Sequence, residues 1–203
     1  MSEKTSSYEK GTTTTYRKFV LFAIGEDVFG VPVEQVSNVT KFDKAFPVPG
    51  TPDYVLGVIN LRGRVLSLIH LKKRLGLGDE LPAEGSGHII FVDLGDDTIG
   101  MLVDRVLNLR TIPTEQISEN LDLISSRINM DFLKGAAMTE EDIVILINLD
   151  MVLAEYEVEE VLNYRKKLED ALEVKDKVHL TEQQLHELNL EKDDFELLGD
   201  RST

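Results

Sequence analysis

The sequence predicts an all-β protein with short helices. It is read as two copies of one small barrel related by internal pseudo-symmetry, followed by a partly helical, acidic C-terminal extension. Two observations carry this reading. The first is self-similarity: Ile24-Gly25-Glu26-Asp27-Val28-Phe29-Gly30-Val31-Pro32-Val33-Glu34-Gln35-Val36 recurs 70 residues later, without a gap, as Leu94 to Val106. Asp53 to Leu71 likewise recurs 78 residues later as Asp131 to Leu149. Two copies in the same order are too few for a solenoid and fit a paired body. The second is the strands themselves, which are short, rich in Val and Ile, and apolar at nearly every position, as in Ile143-Val144-Ile145-Leu146-Ile147. Such strands need cover on both faces, which a barrel packed against a twin provides.

The elements follow in order. Residues 1–15 are polar, with four consecutive threonines, and read as a disordered arm. Residues 17–24 and 28–33 read as a hairpin turning at Gly25-Glu26-Asp27, and Ile89–Leu94 with Thr98–Val103 repeats it at Gly95-Asp96-Asp97. Residues 37–41 and 106–110 continue as extended chain. The run Pro47-Val48-Pro49-Gly50-Thr51-Pro52 forbids regular helix. Val55–Leu61 and Arg64–Ile69 form the next hairpin across Arg62-Gly63, where glycine accepts positive φ at little cost. Its repeat at Glu140-Glu141 lacks glycine, so a different turn geometry is expected. His70–Leu75 and Leu149–Ala154 read as short helices that plug or flank each barrel. Gly76–Gly87, with four glycines and a proline, reads as the linker between halves 16–75 and 88–154. Beyond residue 155, Val158, Val161, Leu162 and Arg165 have helical spacing. Thr181 with Gln184 forms a capping box before Leu185 and Leu188.

Composition excludes several functions. Cysteine is absent, which removes disulfides, thiol catalysis and Cys-ligated metal. The N-terminal stretch has no apolar run, so no signal peptide is expected, and no stretch is long and apolar enough to insert into a membrane. The net charge of −15 argues against nucleic-acid binding. The charge is uneven: residues 155–203 carry 15 acidic and 7 basic side chains, whereas Lys41, Lys44, Arg62, Arg64, Lys72, Lys73 and Arg74 face only Asp43 and Asp53 within residues 41–74. That basic stretch is either a solvated face or a steering surface for an acidic protein partner.

No catalytic constellation emerges. His70, His88, His179 and His186 lack the spacing and carboxylate support of a helical metal site, and His70 reads as a satisfied structural histidine. Phosphate-cradle and nucleophile-elbow motifs are missing. The paired carboxylates sit in turns or in the C-terminal extension, where they read as solvated. No metal, cofactor or catalytic residue is therefore expected. A hydrolase built on Asp96 and Asp97 is the weaker reading. What remains is a binding surface, with Arg62 at a hairpin tip offering its planar fork of donors to carboxylates or carbonyls.

The run Gly57-Val58-Ile59-Asn60-Leu61-Arg62-Gly63-Arg64-Val65, preceded by Pro49 and Tyr54, resembles the signature of CheW-like bacterial chemotaxis coupling proteins. Phe29 to Val36, Gly100 to Val106 and Phe132-Leu133-Lys134-Gly135 match in the family's order, and the resemblance covers about residues 16–154. It implies two SH3-like five-stranded β-barrels around a shared apolar interior and no enzymatic activity. It implies a cytoplasmic adaptor, recruited to membrane-associated arrays, that couples chemoreceptor cytoplasmic tips to the regulatory domain of the histidine kinase CheA. An adaptor of a non-chemotactic array, for surface motility or development, is the alternative. Carried over by motif, Asn60, Arg62 and Gly63 are the receptor-facing tip, while Val33, Val36, Val103 and Val106 lie near the groove between barrels. The resemblance names no kinase-contact residues. The chain departs from the pattern at His70, where the family often has aspartate, with Asn148 as its counterpart. The extension 155–203 also exceeds what the minimal coupling protein needs. It is either an inert solubilising segment or one that docks through Leu185, Leu188, Phe195, Leu197 and Leu198.

Overall fold

The computed structural model describes residues 14–48, 51–83, 85–95, 97–119, 128–139 and 142–152, with Asn163 and Lys166. The first copy of the repeat forms hairpin β1 (Tyr16–Ile24) and β2 (Asp27–Pro32), then β3 (Val36–Lys41), then hairpin β4 (Val55–Leu61) and β5 (Arg64–His70), closed by helix α1 (Leu71–Arg74). The second forms β6 (His88–Leu94) and β7 (Asp97–Val103), β8 (Arg105–Pro113), a two-residue β9 (Ile117–Ser118), hairpin β10 (Leu133–Met138) and β11 (Ile143–Ile147), and helix α2 (Leu149–Val152).

The copies exchange hairpins. One barrel has strand order β3-β6-β7-β5-β4 and the other β8-β1-β2-β11-β10-β9. Each takes its first hairpin from the other copy. The exchanged hairpin joins through a parallel pairing: β5 with β7, where Leu68 faces Gly100, and β11 with β2, where Leu146 faces Gly30. These registers are equivalent under the repeat. The sixth strand β9 pairs with Ala136 and Ala137, and the first copy answers it with a lone bridge from Phe46 to Val58.

The side-chain alternation of each strand explains why nearly every position is apolar. Along β1, Phe19 and Leu21 point into their own barrel, while Val20, Phe22 and Ile24 join a cluster shared by both barrels. Along β6, Ile89 and Phe91 fill the other barrel, and Ile90 and Val92 face the shared cluster. Phe22 stacks on its cross-strand partner Phe29 with centroids 5.8 Å apart. The two short helices do not plug the barrels. Leu71, Leu75, Leu149 and Val152 cover the shared interior instead.

Arg74 ties the copies together at this cover. Its Nε donates to the Val152 carbonyl at 2.8 Å, and its guanidinium lies 4.7 Å from the Tyr54 ring centroid and 4.8 Å from that of Phe132. Those two aromatics occupy the same repeat position. The segment 76–87 is packed as well: Leu77 lies against the shared cluster, Lys72 pairs with Glu80 at 2.9 Å, and Phe42 N–H donates to the Gly87 carbonyl at 2.8 Å. Gly57 sits at a bulge with φ +126, where a Cβ would collide with the Phe46 carbonyl. Glu140 and Glu141 fall outside the described residues. Their turn is closed by Thr139, whose N–H and hydroxyl both donate to the Asp142 carbonyl, at 2.9 and 2.8 Å. The arm 1–13 and nearly all of 155–203 also fall outside the described residues, whereas Thr15 is held by Thr114 N–H at 2.9 Å.

The parallel seams leave no room for a side chain. A Cβ on Gly30 would lie 3.1 Å from Leu146 Cδ2 and Val144 Cγ1, and one on Gly100 3.0 Å from Leu68 Cδ1 and Ile89 Cγ2. Gly30→Val and Gly100→Val should each destabilise the protein by about 3 kcal/mol through overpacking, read as lowered urea midpoints. Unchanged midpoints for both variants would contradict this packing.

Candidate functional site

The hairpin β4–β5 ends at the pair Leu61–Arg64, leaving a two-residue loop. Arg62 has φ +55 and Gly63 φ +83. Two positive φ values make this a type I′ turn, whose twist matches that of the flanking strands. Glycine adopts that conformation readily. Arginine does not, and Arg62 is the single non-glycine residue with positive φ among the described residues. The left-handed region costs an L-residue about 1–2 kcal/mol. Asn60 helps to hold the loop, its Oδ1 accepting the Gly63 N–H at 2.8 Å. Asn60, Arg62, Gly63 and Arg64 are all exposed.

Beside this tip lies a groove of about 530 Å³ at the mouth of the first barrel. Buried Leu66 and Phe91 contribute to its floor. Arg62 and Arg64, at the end of the β4–β5 hairpin, line it together with Asp93 and Asp97, at the ends of strands β6 and β7, β7 being the strand paired with β5. Thr98 Oγ1 donates to Asp93 Oδ1 at 2.8 Å, which fixes that carboxylate. The strand exchange builds this groove, because its lining comes from both copies of the repeat.

The structure brings Asn60, Arg62 and Gly63 together. The four valines surround the shared cluster. Val33, in a 3-10 turn, Val36, at the start of β3, and Val106, in β8, are half-buried against it. Val103 is only 1% exposed, so it supports that region from beneath and offers no surface to a partner. Ser37 and Asn38, directly after Val36, line the groove beside Arg62 and so connect the two sets. Arg64, Asp93 and Thr98 were not among the sequence-predicted site residues, and Asp97 was named only for the weaker hydrolase reading. Arg64 was visible in the matched motif. The others become neighbours of Arg62 only through the exchanged hairpin.

His70 departs from the sequence expectation. It is 2% exposed, yet its Nε2 has no hydrogen-bond partner among the described residues. Its backbone N–H donates to Tyr54 O at 2.8 Å, matched in the second copy by Asn148 N–H to Phe132 O at 2.9 Å. Burial lowers the imidazole pKa below 6.5, reinforced by Lys72 and Lys73 and opposed by Asp104 and Asp79. No group of three or more His, Cys, Asp or Glu that could hold a metal occurs among the described residues. No helix among them is long and apolar enough to cross a membrane.

A duplicated barrel pair that displays an arginine-tipped hairpin beside an open groove is a binding module. A family model described as a CheW-like domain matches residues 18–157, and the chain belongs to that family. It is 34% identical over 144 residues to the probable chemotaxis protein CheW of Rhizobium etli, covering 70% of this chain and 91% of the relative. It is 32% identical over 140 residues to the chemotaxis protein CheW of Thermotoga maritima, covering 68% of this chain and 89% of that one. The crystal structure of the scaffolding protein TtCheW from Thermoanaerobacter tengcongensis superposes with a TM-score of 0.62 at 28% identity, over 72% of this chain and 94% of that one. These relationships support the role of a chemotaxis adaptor.

Two predictions follow from the geometry. Arg62→Asn should stabilise the protein by about 1 kcal/mol by relieving the left-handed arginine, seen as a raised urea midpoint; a lowered midpoint would contradict the turn assignment. For His70 the depressed folded pKa means that its contribution is fully present above the unfolded value of 6.5. That stability is lost as pH falls through the folded pKa, because the unfolded chain takes up a proton that the folded one resists. Urea midpoints should therefore fall between pH 7.5 and pH 5, and His70→Asn should flatten the dependence. An identical slope in that variant would clear His70 of the effect.

Proposed function

We propose that this protein is a non-enzymatic adaptor that couples the cytoplasmic tips of chemoreceptors to the regulatory domain of the histidine kinase CheA in a signalling array. The observation that carries the receptor half of this reading is the strained tip. Arg62 is held in an unfavourable backbone conformation, exposed, at the rim of a groove. Strain of this kind persists where function needs the side chain in that place. In this reading Arg62 binds carboxylates or helix-end carbonyls of the receptor. Asn60 and Gly63 set the turn, Val33, Val36 and Val106 border the docking surface, and Val103 backs it. The kinase would meet the same body through barrel contacts, and the adaptor would be recruited to membrane-associated arrays by its partners. An adaptor of a non-chemotactic receptor–kinase array would use the same surface, and the identity of the partners separates the two.

The test is co-sedimentation of the full chain with receptor cytoplasmic fragments, with and without CheA, while kinase autophosphorylation is followed. The expected result is a ternary complex with altered kinase output. Arg62→Ala should weaken receptor binding by about 2 kcal/mol, as truncation of a hot-spot arginine does. Unchanged affinity in a folded variant would remove Arg62 from the interface.

A further inference from the structure

We infer that the chain also assembles as a swapped dimer, in which residues 16–75 of one copy pack with residues 88–152 of a second copy, and the reverse. The two halves are held together by contacts that do not depend on their being one molecule. These are the β1–β8 and β3–β6 ladders, the parallel pairings β5–β7 and β2–β11, the shared cluster, and the bond from Arg74 to the Val152 carbonyl. A second copy supplies the same partners in the same registers. Exchange therefore gives up no ladder and no buried side chain; it changes only which chain provides them. The inference is independent of the receptor reading of the Arg62 tip.

What must change is the segment between the halves, and its structure permits this. The end of α1 stays as it is, because the N–H groups of Leu75, Gly76 and Leu77 donate back to Leu71, Lys73 and Lys72 of the same half. Phe42 N–H still meets the Gly87 carbonyl, beside the β3–β6 ladder. Between these anchors the chain turns back at Ala83–Ser86, where Ser86 N–H and Oγ donate to the Ala83 carbonyl at 2.9 and 2.6 Å. Asp79, Glu80, Leu81, Ala83, Gly85 and Ser86 are exposed. Gly85 has φ +74, a conformation open to glycine and costly for other residues. Straightening this turn exchanges two exposed hydrogen bonds for bonds to water. Residues 81–87 would then span about 23 Å as extended chain. In the closed molecule the tether presents each half to the other at an effective concentration on the order of 1 mM. The monomer therefore dominates dilute solution, and the dimer forms as protein concentration approaches that value. The consequence falls on the groove: in the dimer Arg62 and Arg64 come from one chain, and Phe91, Asp93 and Asp97 from the other. Each dimer carries two such grooves.

The absence of cysteine makes the exchange readable. Lys18 and Thr111 are exposed, lie opposite one another across the β1–β8 ladder, and belong to different halves. The full chain with Lys18→Cys/Thr111→Cys is unfolded in urea under reducing conditions and refolded over a range of protein concentrations. Monomer and dimer are separated by gel filtration, oxidised, and run on a non-reducing gel. The expected result is an intrachain disulfide in the monomer, a dimer fraction that grows with concentration, and interchain disulfides in that dimer. Adding Gly85→Val/Ser86→Val disfavours the left-handed turn and suits extended chain. It should raise the dimer association constant by roughly a hundredfold, because two turns are relieved per dimer. The intrachain disulfide of its monomer shows that this variant folds. A parent that stays monomeric at every concentration, a dimer whose disulfides are intrachain, or a turn variant that dimerises no better than the parent would each overturn the swap.

Discussion

The structure depends on two parallel strand pairings, β5 with β7 and β2 with β11. Each joins a hairpin of one repeat copy to the barrel of the other. Without them neither barrel closes and the shared interior loses its walls. Parallel pairing needs long crossover connections and is slower to form than a hairpin. It is placed here where it is best protected, with Gly30 and Gly100 letting Leu146 and Leu68 approach closely. The apolar clusters, the two covering helices and the Arg74 bridge all follow from that placement. Stability is therefore shared between the copies rather than held by each alone.

Much of this was legible in the sequence. The ungapped repeat, the alternation of strands and the turns at Gly25, Gly95 and Gly63 located nine of the eleven strands to within a residue or two at most ends, and the repeat of the β4–β5 hairpin implied β10. The two-residue β9 was not found, because two residues carry no periodicity. The family resemblance implies intertwined halves, but the residue pattern does not show which strands are exchanged. Leu68 is apolar whether its neighbour across the seam comes from its own copy or from the other, so the pattern fixes burial and says nothing of partnership. That gap explains what was missed at the site. Arg62 was found from its motif, but Asp93, Asp97 and Thr98 could not be placed beside it without knowing that β6 and β7 cross over. Val103 was grouped with Val33 by repeat position, and the structure separates them: one is half-buried, the other sealed in. His70 was read as satisfied, since sequence reports that a histidine is flanked by apolar residues but not whether its ring finds an acceptor.

The Arg62 loop shows how local and global demands are reconciled. A type I′ turn favours Asn-Gly, and this chain has Arg-Gly. Asn60 and the fixed register of the β4–β5 ladder make up part of the difference. The equivalent position in the second copy, between Thr139 and Asp142, carries Glu140 and Glu141 in place of Arg-Gly. The backbone plan is duplicated, and the charge at its tips is reversed.

The exchanged hairpins also bear on how such a molecule could arise. A single copy of the repeat would expose the edge that its exchanged hairpin now covers, together with one whole side of the shared cluster. An edge of that kind invites pairing with another chain, and an apolar face of that extent invites association. The arrangement is the one that a two-fold homodimer would have if each subunit lent its first hairpin to the other. Joining the two subunits through segment 76–87 would then have turned an obligate association into a covalent one. In a single chain the two ends can differ, as Arg62-Gly63 and Glu140-Glu141 do at equivalent positions, which identical subunits could not.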